Sequence, residues 1–232
     1  MSFIDWAVHQ YNITFIVDNR YRFFVNGFIN TLIIVAGAVA IGLIIGTLVA
    51  VVRVFYIQTG GLSAANAVCG GYLAVFRGTP LVVQLMIMYY IIFASLDNGI
   101  LVAIFTFGIN SGAYVAEIVR AGIMAVDYGQ IEAGRSLGLT SSQTTMRIVL
   151  PQAFKNILPA LGNEVVTLIK ETSIAGYVTV KDFAQAGEYI RSRTMEPYFS
   201  LLFIAAVYFV LVFLISKGFK AIEKRLNRAD RI

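Results

Sequence analysis

From Phe28 to Val52 the chain runs for 25 residues without one charged side chain. A stretch of that length is the strongest constraint on the fold, because about 20 apolar residues in a helix cross a hydrocarbon layer about 30 Å thick. Inside lipid every backbone N–H and C=O must be satisfied internally, so a spanning chain is either helical or a closed barrel. A barrel would show stretches of about 10 residues alternating apolar and polar. The apolar runs here are continuous, which excludes it. With 58% hydrophobic and 13% charged residues among 232, and a mean hydropathy of +0.77, the whole chain reads as one all-α integral membrane domain, 1–232.

There is room for about five crossings, at 28–52, 72–94, 97–120, 154–177 and 197–216. In the first of them Ala38, Gly42 and Gly46 stand four apart and make one face smooth enough for close helix contact. Residues 1–24 mix aromatic and aliphatic side chains with Asp5, His9, Asp18, Arg20 and Arg22, which suits a helix lying in the headgroup layer. A terminus without fixed structure is the alternative. The net charge of +5 gives no reason to expect nucleic acid, since the cations flank apolar runs, where they set orientation. Lys217, Lys220, Lys224, Arg225, Arg228 and Arg231 follow the last crossing and place it on the cytoplasmic side. Counting back through five crossings puts the amino terminus outside, and the loop holding Lys181, Asp182, Glu188, Arg191, Arg193 and Glu196 outside as well.

One polar segment, 125–151, interrupts the apolar pattern, with Gln130 to Pro151 at its centre. Helix formers up to Leu137, a break at Gly138 and a fresh cap at Thr140 or Ser141 predict two short helices forming a compact hook. Pro151 then starts or kinks the fourth crossing. With Arg120, Arg135, Arg147 and Lys155 in or beside it, the hook is expected in the cytoplasm.

The hook resembles the EAA signature of ABC importer permeases: Glu132, Ala133, Gly134, then Gly138, then Ile148, Leu150 and Pro151. Gly134 in place of the second alanine is the one departure, and it lowers helix propensity by up to about 1 kcal/mol. The stretches FRGTPLVVQL (Phe76 to Leu85), NSGAYVAEIVRAGI (Asn110 to Ile123) and NEVVTLIKETS (Asn163 to Ser173) are similar to permeases of polar amino acid importers, the histidine, glutamine and arginine group. That resemblance implies the type I ABC importer permease fold, with five transmembrane helices, in a bacterial cytoplasmic membrane. It also implies a second permease subunit, identical or a close paralogue, an external substrate-binding protein, and a separate ATPase gripping the hook through the signature residues. No G-x-x-x-x-G-K-[ST] sequence occurs in the chain, so ATP and magnesium are expected on that ATPase and no cofactor on this chain.

Charges inside crossings are costly, and they usually face a wet cavity or a partner. Glu164, Lys170 and Glu171 lie in the fourth crossing, none with an opposite charge three or four residues away. Glu164 falls at mid-depth, level with Asn110 and Ser111 of the third crossing. Asn110, Tyr114 and Glu117 share one helix face and Glu164, Thr167 and Glu171 another. A substrate pocket built from Glu164, Asn110, Ser111, Thr167 and Tyr114 would offer a carboxylate to a cationic cargo group and hydrogen bonds to the rest. An ion pair between helices is the alternative for Glu164, and helix-helix hydrogen bonding for Asn110 and Ser111. Glu117 is expected to pair with Arg120, and Arg77 to anchor a kinked helix start without touching cargo.

Two other classes compete. An ion-driven secondary transporter would use Glu164 and Glu171 as cation sites but calls for inverted repeats with paired broken helices, which this chain does not display. An assembly subunit would leave the polar stripes without a use. With one histidine, one cysteine and no cluster of metal ligands, no metal or catalytic centre is expected.

Overall fold

The computed structural model describes residues 2–228, so Arg231 of the basic tail lies outside the described residues. The described chain is helical, in the order α1 (Phe3–Tyr11), α2 (Tyr21–Thr59), α3 (Ser63–Gly78), α4 (Leu81–Ile87), α5 (Gly99–Met124), α6 (Tyr128–Ser136), α7 (Ser141–Thr144), α8 (Leu150–Glu171), α9 (Phe183–Thr194) and α10 (Pro197–Arg228). Among the described residues, three helices are long and apolar enough to cross a membrane: α2, α5 and α10. A fourth candidate is a sharply bent pair, α3 followed by residues 81–92.

The stretch expected as one crossing at 72–94 is therefore broken. Thr79 is extended (φ −120°, ψ 148°) and Pro80 follows, and a residue before proline is pushed out of the helical region by the pyrrolidine ring. The stretch expected as a fourth crossing, 154–177, is α-helix only to Glu171, where the 3-10 turn Thr172–Val178 takes over. By length and composition α8 is not among the described helices apolar enough to cross, so three or up to four candidates stand where five were expected. Residues expected as a charged outer loop form α9, capped by Asp182. The basic tail continues α10 as helix as far as Arg228, and α2 begins at Tyr21 rather than near Phe28. The reversal before α2 sits at Asp18 and Asn19, both with φ 54°.

Two compact units divide the described chain. The first draws on Met1–Ala38, Val82–Phe107 and Thr167–Leu214. Its core is aromatic: Phe24, Phe183 and Ile190 are buried, and the Phe203 ring meets Phe15 (4.8 Å between centroids) and Phe24 (4.9 Å) edge to face. Asp182 is fully buried there and accepts from the backbone N–H groups of Gln185 (2.9 Å) and Ala184 (3.1 Å), which otherwise would lack partners at the start of α9. The Thr31 hydroxyl accepts from Phe183 N–H at 3.0 Å, tying α9 to α2.

The second unit comprises Val39–Leu81, Gly108–Val166 and Ile215 onward. Here α2 and α5 touch along the small-residue seam, for a Cβ on Gly46 would lie 2.5 Å from Val115 Cγ1 and one on Gly42 3.2 Å from Ser111 Oγ. Ala50, Val115, Val119, Val126, Val149, Ala153 and Ile157 form the core beneath the hook. Sequence spacing located that seam because glycine four apart leaves a groove only on one helical face.

Candidate functional site

Along α5 the polar residues take up separate tasks. Ser111 donates its hydroxyl to Glu164 Oε1 of α8 at 2.7 Å. Asn110 turns the other way, and its Nδ2 donates to the Phe76 carbonyl at 3.0 Å. Tyr72 supports the same contact by donating to the Ile109 carbonyl at 2.5 Å, so α3 is held against α5 by two side chain to backbone bonds. Such bonds are favoured in lipid, where an unpartnered carbonyl has no water to turn to.

A turn further on, the Arg77 guanidinium lies over the Tyr114 ring, 5.6 Å from its centroid. Glu117 accepts two bonds at Oε2 from Arg120, 3.2 Å from Nε and 2.8 Å from Nη2, as the spacing of three residues predicts. Its other oxygen is 4.0 Å from Arg53 Nε of α2. Arg53, Arg77, Tyr114 and Glu117 border a cavity of about 550 Å³. Of the residues expected together, Ser111 and Glu164 meet, Asn110 is engaged with α3, and Tyr114 lines this cavity. Thr167 is exposed and belongs to the first unit. Arg53 and Arg77 were given no such place from sequence; their only sign was a cation set at the edge of an apolar run.

The hook has the build its turn residues dictate. Thr140 caps α7 reciprocally with Gln143, each side chain bonding the other's backbone N–H. At the end of α6, Gly138 takes φ +81°, its N–H reaches the Arg135 carbonyl and the Leu139 N–H reaches Gly134, the paired bonds of a Schellman stop. The signature glycine Gly134 is buried, and a Cβ there would lie 2.7 Å from Ile148 Cδ1 and 3.1 Å from Thr144 Cγ2. The departure from alanine thus has a packing reason: Ile148 occupies the space. A π-turn at Thr145–Val149 leads into Pro151 in the first turn of α8, and the proline's missing N–H leaves the Arg147 carbonyl without its regular helical donor. Glu132, Ala133, Gly138, Leu150 and Pro151 are exposed. So are Tyr128 (69%), Leu137 (83%) and Met146 (65%), apolar side chains on a polar projection that sequence reading did not single out.

Apolar helices with an internal hydrogen-bonded polar seam, joined to a capped and rigid hook, are the build of a membrane transport permease. The chain belongs to the family described as binding-protein-dependent transport system inner membrane component, which matches residues 59–228. It is a permease subunit of the ABC importer class, of the type I fold and not itself catalytic. A Rickettsia conorii protein provisionally named the glutamine transport system permease GlnP is 40% identical over 209 residues, 88% of this chain and 93% of that one. The arginine transport system permease protein ArtQ of Bacillus subtilis is 36% identical over 211 residues, covering 90% and 94%. Among solved structures, a crystal structure of an amino acid ABC transporter with histidines superposes with a TM-score of 0.81 at 35% identity, covering 97% of this chain and 99% of that one. The inward-facing MetNI methionine ABC transporter, at 23% identity and a TM-score of 0.74, covers 89% and 97% and shares the fold. Family membership places the chain with ABC importer permeases, the class favoured over the ion-driven alternative.

Proposed function

We propose that this chain forms the pathway of an ATP-driven importer of polar, cationic amino acids, with Glu164 meeting the cationic group of the cargo. The observation that carries the reading is the Glu164 carboxylate, held by Ser111 at 2.7 Å and without a lysine or arginine paired to it among the described residues. A carboxylate inside the membrane stays where a cation can come to it. Relatives named for glutamine and arginine transport support an amino acid as that cargo. Ser111 is a second recognition residue in this reading, because it fixes the carboxylate. Tyr114 offers a further hydrogen-bonding group on α5, whereas Asn110 is engaged with the Phe76 carbonyl of α3.

Energy comes from a separate ATPase carrying ATP and magnesium, which docks on the hook formed by Glu132, Ala133, Gly134, Gly138, Ile148, Leu150 and Pro151. The exposed Leu137 and Met146 give that partner an apolar grip. A second permease subunit and an extracytoplasmic binding protein complete the assembly. The hook and carboxyl terminus face the cytoplasm, and the amino terminus faces out.

The test is reconstituted transport with the ATPase and binding protein present. Glu164→Gln is expected to raise the half-saturating concentration of arginine by about tenfold, equivalent to about 1.4 kcal/mol, with a much smaller effect on glutamine. Unchanged affinity for cationic amino acids would remove the carboxylate from the route.

A further inference from the structure

The cavity bordered by Arg53, Arg77 and Glu117 carries more positive charge than its own groups neutralise. Arg53 and Arg77 bring two guanidiniums to its lining and Glu117 one carboxylate, a balance of one positive charge, and that carboxylate is shared with Arg120 outside the lining. Arg120 already takes both bonds on Glu117 Oε2. Arg53 Nε stands 4.0 Å from the other oxygen, beyond hydrogen-bond reach, and is a buried donor with no hydrogen-bond partner. A buried donor left so is unfavourable, and an acceptor brought to it would relieve that cost.

The α3 wall is bare where such an acceptor would enter. A Cβ on Gly78 would meet nothing within 4 Å, and one on Gly70 would meet only Arg53 Nη1, at 3.7 Å. Arg77 is held over the Tyr114 face, an arrangement that positions its charge at the cavity. Planar guanidiniums match the two oxygens of a carboxylate. Glu117 is six residues beyond Ser111 on α5, about 9 Å along the helix axis and about 120° around it, so this cavity opens on a different face of α5 from the Glu164 contact.

We propose that this cavity is a second cargo station, holding the α-carboxylate of the transported amino acid between the Arg53 and Arg77 guanidiniums. It rests on the reading of the cargo as an amino acid and is independent of the cationic preference assigned to Glu164. Arg53 and Arg77 select for the carboxylate that all such cargoes share, whereas Glu164 selects among side chains.

The experiment uses the full chain with its ATPase in phosphatidylcholine nanodiscs, without the binding protein. L-arginine and L-glutamine are titrated calorimetrically, each against its own α-carboxamide. At least one acid is expected to bind, with its amide about tenfold weaker or worse. Arg53→Gln should erase most of that preference, weakening the acid and leaving the amide alone, and Arg77→Lys should erase part of it. Glu164→Gln should change arginine relative to glutamine while keeping acid over amide. Equal binding of acid and amide to the unaltered complex, which needs no variant, overturns the station, as does no binding of either acid. Displacement of the acid by phosphatidylglycerol in the nanodisc would make a lipid phosphate the occupant and equally overturns it. Amino-acid-stimulated ATP hydrolysis, measured in the same preparation after adding the binding protein, reports on the importer reading separately.

Discussion

Gly46 illustrates how much a single position can hold. Its missing side chain lets α5 approach until a Cβ would stand 2.5 Å from Val115 Cγ1 and 2.9 Å from the Gly112 carbonyl oxygen. Backbone cannot step aside as a side-chain tip can, so Gly46→Ala is expected to destabilise by about 1 to 3 kcal/mol. Gly71→Ala, where a Cβ meets nothing within 4 Å, serves as the comparison. Thermal unfolding of the purified protein in detergent measures both, and equal melting temperatures would show that the two helices are not in contact at Gly46. At the same scale Ser111 and Glu164 were matched from sequence by depth alone. Asn110 was matched equally well by depth and yet bonds Phe76, because periodicity states which face a residue occupies and not which of two neighbouring helices it will find.

At the scale of elements, the hook and α9 are each held by their ends. Gly138 carries φ +81°, where a β-branched residue pays a steric penalty of about 1 to 2 kcal/mol. Gly138→Val is expected to distort the α6–α7 junction and to uncouple ATP hydrolysis from uptake, leaving hydrolysis high and transport low in proteoliposomes. Retained coupling would count against the hook as the point where force enters. The start of α9 depends on Asp182. Burial pushes its carboxyl above the ordinary range, against hydrogen bonds from Gln185, Ala184 and Tyr208 that favour the charged form. A carboxyl raised on folding contributes its full stability below its unfolded value and loses it as pH rises through the folded one. Stability measured from about pH 4 to about pH 8 should therefore fall with pH in the parent relative to Asp182→Asn, which keeps an acceptor and never ionises. Parallel curves would mean the carboxyl titrates normally. Asp182→Ala removes the cap itself and should cost about 1 kcal/mol near pH 4, where the carboxyl contributes its full stability, and less as pH rises.

For the whole molecule the decisive question is sidedness. With Cys69 replaced by serine, Ser142→Cys on the hook should react with a membrane-impermeant maleimide in inside-out vesicles and stay unlabelled in intact cells, and the reverse pattern would put the hook beyond any cytoplasmic ATPase. Membrane class, the apolar helices, the glycine seam, the capped hook and the Glu117 to Arg120 pair were legible in the chain, because each follows from spacing along one helix or from the solvent a segment can tolerate. The broken 72–94 stretch was half legible, since Thr79–Pro80 marked a break that a hydropathy average smooths over. Helix α9 was hidden in a charged segment whose cap, Asp182, looks from sequence like one more loop charge. Arg53 stands on α2, Arg77 on α3, Tyr114 and Glu117 on α5, so their meeting around one cavity depended on helix rotation and approach. Local order is set by neighbours within a few residues, and sequence alone determined it. Which polar groups share a cavity is set by how remote surfaces pack, and only the tertiary structure decided that.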